Sequence, residues 1–432
     1  MSLAQRAYIL LVLCAVLAVA GVWSVDPALQ GLWRLPAALL LAGVALESAF
    51  MRRTALRADL ETASRAFLGR PQRASFTFEN GGPRALQIEY APVVPLGFEG
   101  PTEPRFIRVG SHSVAHDGFA LLPVRLGAQP CPAIPLRILG RFGLVWWPAK
   151  RPIDRCIFVA PNTLHAVGTR PRGAPAGLRP RRVSGAGAEL HQLRAYVPGD
   201  PPARIDWKAT ARTGELVSRE FSEDQHLDVL VAIDAGRASR VRAGRLDRLG
   251  LYANIAARFA ERVTPNDDRV GLLVFSDRPL AACTPGRGQR AVMRIRRALE
   301  QLTPDAGESE PLGAAVRIRV MLKRRSLVVL LTDLEDATAA ETLARSVRLL
   351  SPPHLAVVAG VSSPEIGELA TGMAHGWRDP WVALAAQEHQ SSAAGRRAML
   401  RRLGAPVIVA RADILEQAVL NEYESLRRAR RI

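Results

Sequence analysis

Acidic side chains follow two apolar runs that we predict to be strands of one sheet. Asp234 comes directly after residues 228–233, and Asp333 follows Thr332 at the end of residues 326–331. In open sheets of parallel strands, ligands bind beyond the carboxyl ends of the strands. The two carboxylates therefore mark a candidate binding edge, unless Asp234 only caps the following turn and Asp333 is only a loop carboxylate.

A second group of charged and aromatic side chains lies in residues 196–212, which read YVPGDPPARIDWKATAR. Asp200 can cap a helix, Pro201 suits the first helical position, and Gly214 can end the helix in a left-handed conformation. The pattern predicts a short helix of about three turns. Eight residues of the segment form a candidate interaction surface: Tyr196, Gly199, Asp200, Arg204, Asp206, Trp207, Lys208 and Arg212.

Basic residues recur at every fourth position of this predicted helix and form a cationic stripe: Arg204, Lys208 and Arg212. Like charges at this spacing destabilise an isolated helix by about 0.2–0.5 kcal/mol per pair, so the stripe needs acidic partners. Another molecule can supply them, and within the fold so can Asp206, Glu215 or Glu220, or the strand-end acids Asp234 and Asp333. In the competing interpretation, Asp206 and Trp207 hold the helix to the sheet through internal contacts.

The composition indicates a folded and basic protein. The chain has 432 residues, of which 48% are hydrophobic, and 58 lysines and arginines stand against 40 aspartates and glutamates. The net charge of +18 favours anionic partners such as a membrane surface, although a coding bias towards arginine would give the same excess. No basic strand carries the aromatic residues that are typical of nucleic-acid binding, so we expect no nucleic-acid partner.

The sequence lacks the motifs of several common enzyme classes. It contains no GxSxG elbow, no HExxH helix and no GxxxxGK[ST] phosphate loop. These motifs would supply a nucleophile, a zinc site and a nucleotide site, respectively. We therefore expect a protein that is not an enzyme and that does not itself bind ATP.

Two apolar runs near the N-terminus predict a pair of transmembrane helices. Residues 7–25 carry no charge and are long enough to cross a hydrocarbon core of about 30 Å, and residues 35–50 form a shorter run with Glu47 near its end. Arginines flank the outer ends of the pair, which places both ends in the cytoplasm by the positive-inside rule. We expect a multi-pass protein of the inner membrane whose soluble domains face the cytoplasm. The alternative is a signal peptide cleaved after residues 18–20, AVA.

The spacing of apolar residues along the chain changes twice after this pair of predicted helices. Short alternating runs with many prolines indicate an all-β, sandwich-like domain, and later apolar runs that alternate with helical stretches indicate an α/β domain with a mostly parallel sheet. The predicted segments are a transmembrane hairpin (1–53), the sandwich-like domain (62–161), a linker rich in Arg, Pro and Gly (162–195), the segment of the predicted helix and a strand (196–226), and the α/β domain (227–432). The helices predicted in the α/β domain are 245–264, 287–302, 312–323, 337–350 and 413–430.

The acids at the two strand ends, in VLVAIDAGRAS and SLVVLLTDLED, resemble the metal-ion-dependent adhesion site of the von Willebrand factor A fold. That site binds Mg²⁺, which prefers oxygen ligands, through a DxSxS motif, a loop threonine and a further aspartate. The resemblance implies Asp234, Ser309 and Asp333 as metal ligands, with Ser309 in place of the threonine. Gly236 and Ala238 occupy the two serine positions, so the implied site is degenerate. A magnesium-dependent ligand-binding protein is the alternative function.

The wider pattern resembles the proteins of domain of unknown function 58. It comprises the two apolar runs, the β-rich segment, residues 196–212 followed by SREF, and an A-type domain with RRSLVVLLTDLED and VLNEYESLRRAR. Members of that family are typically found with a MoxR-type AAA+ ATPase and act with it in assembling or activating other proteins. The resemblance implies a membrane-anchored adaptor for this ATPase and for a client protein, with residues 196–212 at or under the interaction surface.

Overall fold

The computed structural model describes residues 2–23, 30–52, 54–162, 183–185, 189–223, 227–303, 305–335, 339–373 and 375–429. The chain divides into two compact units, Met1–Asn162 and Thr163–Ile432. Most of the predicted linker, residues 163–182 and 186–188, lies outside the described residues, as do residues 24–29 between the two apolar runs.

Two apolar helices begin the first unit, α1 (Gln5–Val22) and α2 (Arg34–Met51). Both are long and apolar enough to cross a membrane. Most of their large apolar side chains are exposed, whereas a core helix of a soluble protein would bury one face. The predicted pair of apolar helices is confirmed.

A β-rich region makes up the rest of this unit. Its strands are β1 (Ser2–Leu3), β2 (Leu56–Thr62), β3 (Arg65–Phe67), β4 (Gln72–Asn80), β5 (Leu86–Tyr90), β6 (Phe98–Glu99), β7 (Arg105–Val109), β8 (Ser113–Pro123), β9 (Gly127–Pro130), β10 (Ile134–Leu139), β11 (Val145–Arg151) and β12 (Cys156–Ala160). They form a five-stranded sheet (β1-β11-β10-β5-β7), a four-stranded sheet (β2-β4-β8-β6) and a three-stranded sheet (β3-β12-β9). The prediction of a β-rich segment is thus confirmed.

Aromatic side chains pack between the four-stranded and five-stranded sheets. Alternate residues of β4 point inward because successive side chains of a strand face opposite ways, and this buries Phe76 and Phe78. Their ring centroids lie 5.5 and 4.8 Å from that of Tyr90 on β5. This contact joins the two sheets into one core.

The second unit begins with a small sheet in the order β13-β15-β14. Its strands are β13 (Val183–Gly185), β14 (Glu189–Ala195) and β15 (Val217–Glu223), and helix α3 (Trp207–Thr213) lies between the last two in sequence. The end of the predicted linker is therefore a strand, since Ala195 pairs with Val217 and Glu189 pairs with Ser222. The strand predicted over residues 216–221 is β15.

A mixed sheet in the order β20-β19-β16-β21-β22-β23 forms the centre of this unit. Its strands are β16 (Asp228–Asp234), β19 (Arg269–Phe275), β20 (Pro279–Gly286), β21 (Ser326–Leu331), β22 (Leu355–Val361) and β23 (Val407–Ala410); β17 (Arg242–Ala243) and β18 (Leu246–Asp247) form a separate pair. Only β20 is antiparallel to its neighbour within the main sheet. The predicted parallel arrangement of the other five strands is confirmed.

Helices cover this sheet: α4 (Arg248–Val263), α5 (Gly288–Glu300), α6 (Pro311–Met321), α7 (Ala340–Leu350), α8 (Pro364–Thr371), α9 (Asp379–Arg402) and α10 (Leu415–Arg428). The sequence does not predict α8 or α9. The buried residues of α9 are Ala386, Ala393 and Leu400, while Trp381 and Leu384 are exposed. Such a narrow and largely small-residue stripe lacks the wide apolar face by which an amphipathic helix is recognised.

Candidate functional site

Asp234 lies at the carboxyl end of β16 and is surrounded by hydrogen-bond donors. Its Oδ1 accepts from the N–H of Gly236 at 3.0 Å, and its Oδ2 accepts from the hydroxyls of Ser309 and Thr332 at 2.6 and 2.7 Å. Burial raises the pKa of the Asp234 carboxyl, although the bonds from Ser309, Thr332 and Gly236 oppose this shift. The carboxylate is 6% exposed, and its charge is stabilised by donors from three separate chain segments.

Strand register and loop contacts bring these donors together. Ile233 pairs with Leu331 in the parallel ladder, so Thr332 follows directly beside Asp234. The loop that carries Ser309 is held over the edge of the sheet by backbone bonds, including Arg237 N–H to Gly307 O at 2.8 Å. The predicted meeting of Asp234 and Ser309 is present in the structure.

Asp333 faces a different partner, Arg248, at the start of α4. The guanidinium Nη1 of Arg248 donates to Asp333 Oδ2, and its Nη2 donates to Glu335 Oε2 at 3.0 Å. Ser363, after β22, donates its hydroxyl to the same Glu335 oxygen at 2.9 Å. Asp333 Oδ1 also accepts from the N–H of Glu335 at 2.8 Å. Both oxygens of Asp333 are thus engaged within the fold.

Arg248 is the residue of this site that the sequence does not point to. Its side chain is 4% exposed. Burial lowers the pKa of Arg248, but Asp333, Tyr252 and Glu335 outweigh that effect and raise it above its ordinary value. Arg248 therefore stays charged and supplies one positive charge to the two carboxylates of Asp333 and Glu335. The stripe of Arg204, Lys208 and Arg212 was the predicted partner of Asp333; the structure places Arg248 there instead.

The residues at this edge do not fit a magnesium ion. Gly236 and Ala238 have no ligand atoms at the positions of the two serines, and a side chain added to Gly236 would lie only 3.0 Å from the Ser309 nitrogen. Asp333 is paired with Arg248, whose charge would repel a cation. Throughout the described ranges, no group of three or more His, Cys, Asp or Glu residues could hold a metal ion.

The segment of residues 196–212 folds differently from the prediction at its start. A 3-10 turn spans Pro202–Arg204, and helix α3 begins only after Asp206, whose Oδ1 accepts from the N–H groups of Lys208 and Ala209 at 3.0 Å each. Ile205 is extended and bridges to β15, which prevents an earlier start. Arg204 therefore lies outside the helix and does not continue a stripe with Lys208 and Arg212. The predicted end is confirmed, since Gly214 has φ 76°.

Asp200 caps a turn rather than the predicted helix. Its Oδ2 accepts from the N–H of Val197 at 3.2 Å, and its Oδ1 accepts from Arg194 at 2.7 Å. The Tyr196 hydroxyl donates to the Asp200 carbonyl at 3.2 Å. Gly199 has φ 111°, a conformation that favours glycine. Tyr196, Gly199 and Asp200 thus shape this turn.

Asp206 bonds within the fold, whereas the aromatic and basic side chains of α3 are exposed. Asp206 Oδ2 accepts from Arg219 on β15 at 3.0 Å, so its carboxylate serves both as cap and as tie to the sheet. Trp207 is 66% exposed, which contradicts the interpretation in which this ring is an internal clasp. Lys208 and Arg212 are also exposed, and among the described residues neither has an ion-pair partner. The exposed surface of α3, called its exposed face below, thus carries an indole and, about 100–140° around the helix axis from it, two cations.

Comparison with known proteins supports part of the sequence resemblance. The chain is 25% identical over 155 residues to the uncharacterized proteins Rv1480 of Mycobacterium tuberculosis and Mb1516 of Mycobacterium bovis, a match that covers 35% of this chain and 48% of each relative. It thus spans about half the length of the curated relatives that it matches. A conserved hypothetical protein, BatB from Bacteroides thetaiotaomicron, aligns with 46% of this chain and 98% of its own at 13% identity and TM-score 0.32. Residues 192–374, which include α3 and the edge of the main sheet, match the family described as protein of unknown function DUF58.

Proposed function

We propose that the chain is a membrane-anchored, non-enzymatic adaptor that offers the exposed face of α3 to another protein. The observation that carries this proposal is the difference between the acidic side chains of residues 196–212, which are bonded within the fold, and the aromatic and basic side chains of α3, which are exposed. Asp200 and Asp206 are engaged in internal bonds, whereas Trp207 is 66% exposed beside the exposed Lys208 and Arg212. Trp and Arg are enriched among the residues that dominate binding at protein interfaces.

The proposed partner is a cytoplasmic AAA+ ATPase of the MoxR type, and the complex would act on a client protein. The resemblance of residues 192–374 to the DUF58 family supports this choice. A cationic face fits an acidic surface on the partner, which favours fast and specific association. On this view the α/β domain is a von Willebrand A-like platform, supported by its parallel strands and the Asp234, Ser309 and Thr332 cluster at their carboxyl ends.

We further propose that α1 and α2 cross the inner membrane as a hairpin and that the remainder of the chain faces the cytoplasm. Both helices are long and apolar enough to cross, and Arg6 and Arg52 lie at the outer ends, as the positive-inside rule requires. We do not propose a magnesium-dependent function, because Arg248 already neutralises Asp333.

Charge reversal on the exposed face tests the adaptor proposal. The double variant Lys208→Glu, Arg212→Glu should bind the ATPase at least about tenfold more weakly, because two cations at the interface would become repulsive anions. The melting temperature should stay close to wild type, since both side chains are solvent-exposed. Co-purification and titration of the full-length protein in detergent with the purified ATPase measure the binding.

A matched control comes from another exposed basic face of the same unit. Arg290 and Arg297 are exposed on α5, and the double variant Arg290→Glu, Arg297→Glu introduces the same change of charge. This control should bind like wild type. Equal loss of binding in the two double variants would show a non-specific effect of net charge and would overturn the assignment of the surface to α3.

A further inference from the structure

Glu47 is an ionisable residue about one turn before the end of the apolar helix α2, and the residue is 0% exposed. The 18 residues of α2 rise about 27 Å, close to the ~30 Å thickness of the hydrocarbon core. If α2 crosses a membrane, as proposed above, Glu47 lies near the level where hydrocarbon meets the headgroups. A charged side chain at that level is costly unless it has partners. The groups that contact Glu47 therefore show which part of the chain lies at the same depth.

The partners of Glu47 come from the turn of residues 140–147, which joins β10 to the start of β11 and is called the docking turn below. The N–H groups of Phe142 and Leu144 donate to Glu47 Oε1 at 2.7 and 3.2 Å, and the N–H of Val145 donates to Oε2 at 3.1 Å. Backbone N–H groups that converge on one carboxylate form a strong anion site. The docking turn is thus fixed to α2 at this depth.

Two further features show that the docking turn is shaped around the carboxylate. The indole Nε1 of Trp147 lies 3.5 Å from Glu47 Oε2. A side chain at Gly140 would overlap the carboxyl group of Glu47, so this position needs glycine. The sequence alone shows Glu47 as an isolated acid and residues 141–147 as an aromatic cluster; the structure joins them.

The segment that begins α1 holds the same turn. Leu3 pairs with Val145 in the antiparallel ladder, and the N–H of Ala4 donates to Leu144 O at 2.8 Å. Arg6 Nη1 donates to Phe142 O at 3.1 Å. The outer ends of α1 and α2 therefore both contact the docking turn. The turn must lie at the same level as those ends.

We propose that the docking turn lies in the headgroup layer of the bilayer and binds phospholipid phosphate groups. Arg6 and Arg141 are exposed at this turn, and Arg52 is exposed directly after α2. Guanidinium groups at this level attract anionic headgroups. The Arg141 guanidinium also lies 4.7 Å from the centre of the Phe50 ring, and Phe142 is 37% exposed. Basic and aromatic side chains together are typical of the membrane interface.

A fluorescent label at Phe142→Cys tests this placement in the full-length protein. The four native cysteines are first replaced, the labelled protein is reconstituted in vesicles that contain an anionic phospholipid, and a headgroup-linked quencher is added to the lipid. The control label is at Leu96→Cys, which is 90% exposed in the loop after Tyr90. Because Tyr90 pairs with Leu136 near the start of β10, that loop lies at the opposite end of β10 from the docking turn.

The label at position 142 should be quenched several-fold more strongly than the label at position 96. Equal quenching in protein that resists carbonate extraction would overturn the docking of this turn while leaving the membrane-crossing proposal intact. Extraction by carbonate would overturn the crossing of the membrane and the docking with it. Replacing the anionic lipid by a zwitterionic lipid distinguishes binding of net negative headgroups from binding of phosphate in general.

A variant of Glu47 separates the role of the carboxylate from the position of the turn. Glu47→Gln replaces one acceptor oxygen by an NH₂ group that cannot accept, so quenching at position 142 should fall towards the value at position 96. Glu79→Gln, an exposed site on β4, is the matched control and should leave quenching unchanged. Unchanged quenching in Glu47→Gln would overturn the role of Glu47, and if that variant does not fold, the wild-type pair of labels decides alone.

Discussion

The guanidinium of Arg248 is 4% exposed and lies against the carboxylates of Asp333 and Glu335. A buried pair of charges contributes little net stability, but the loss of one partner leaves the other charge uncompensated. Tyr252 fixes the adjacent backbone, since its hydroxyl donates to Thr332 O at 3.0 Å. The two carboxylates at this edge of the sheet therefore share one buried cation, which the chain itself supplies.

Removal of that residue should be strongly destabilising. Arg248→Met keeps the length of the side chain and removes its charge, so Asp333 and Glu335 lose their cation; the free energy of unfolding should fall by about 3–5 kcal/mol. Urea unfolding of the full-length protein in detergent measures the change. Adding Asp333→Asn and Glu335→Gln to the variant should recover part of the loss. A wild-type midpoint for Arg248→Met would contradict the assigned role.

The residues of this site were partly predictable from sequence. Asp234 and Asp333 follow strands that the apolar runs mark clearly, and the resemblance adds Ser309. Arg248 is separated from Asp333 and Ser363 by 85 and 115 positions, and a basic residue at the start of a helix carries no local signal. Only the folded sheet brings these groups together, so this cluster of ion pairs was not visible in the sequence.

Helix α3 shows how the competition between two caps decides where an element begins. Asp200 and Asp206 are both good N-cap residues, and Pro201 favours the first. The extended Ile205 joins β15 and leaves Asp206 as the cap, so the helix is shorter than predicted. The positions of strands such as 326–331 and 355–361 were predictable because they are continuous apolar runs, whereas the start of α3 depends on pairing with a strand that comes later in the chain.

Variants of Asp206 test its double role at this element. The N–H of Ala209 and the guanidinium of Arg219 lower the pKa of the Asp206 carboxyl. Asp206→Asn should keep the cap and lose the ion pair, and Asp206→Ala should lose both. Hydrogen exchange of the Lys208 and Ala209 amides should therefore be slowest in wild type, intermediate in the Asn variant and fastest in the Ala variant.

The pH dependence of these variants has a defined sign. The pKa of Asp206 is lower in the folded state than in the unfolded state, so its charge stabilises the segment above the unfolded pKa and that contribution is lost as the pH falls through the folded pKa. The difference between wild type and Asp206→Asn should accordingly shrink on acidification. Equal exchange in wild type and Asp206→Ala at neutral pH would contradict the cap.

At the scale of the whole molecule, the chain divides into two compact units. The first unit combines two apolar helices with a β-rich region that grips their outer ends through Glu47. The second unit carries the main sheet and the exposed face of α3. Composition and hydrophobic period predicted this order of segments. The contact between the docking turn and Glu47 was not predictable, because the donors to the Glu47 carboxylate are backbone N–H groups, which carry no side-chain signature.

Cross-linking from Trp207 tests most directly the proposal that the exposed face of α3 contacts an AAA+ ATPase. A photoreactive phenylalanine analogue at position 207 in the full-length, membrane-bound protein should form a cross-link to the ATPase that mass spectrometry can locate. The same analogue at Met293 on α5, which is 45% exposed, is the control and should give no such product. Cross-links from position 207 to this chain alone, or equal yields from positions 207 and 293, would contradict the claim.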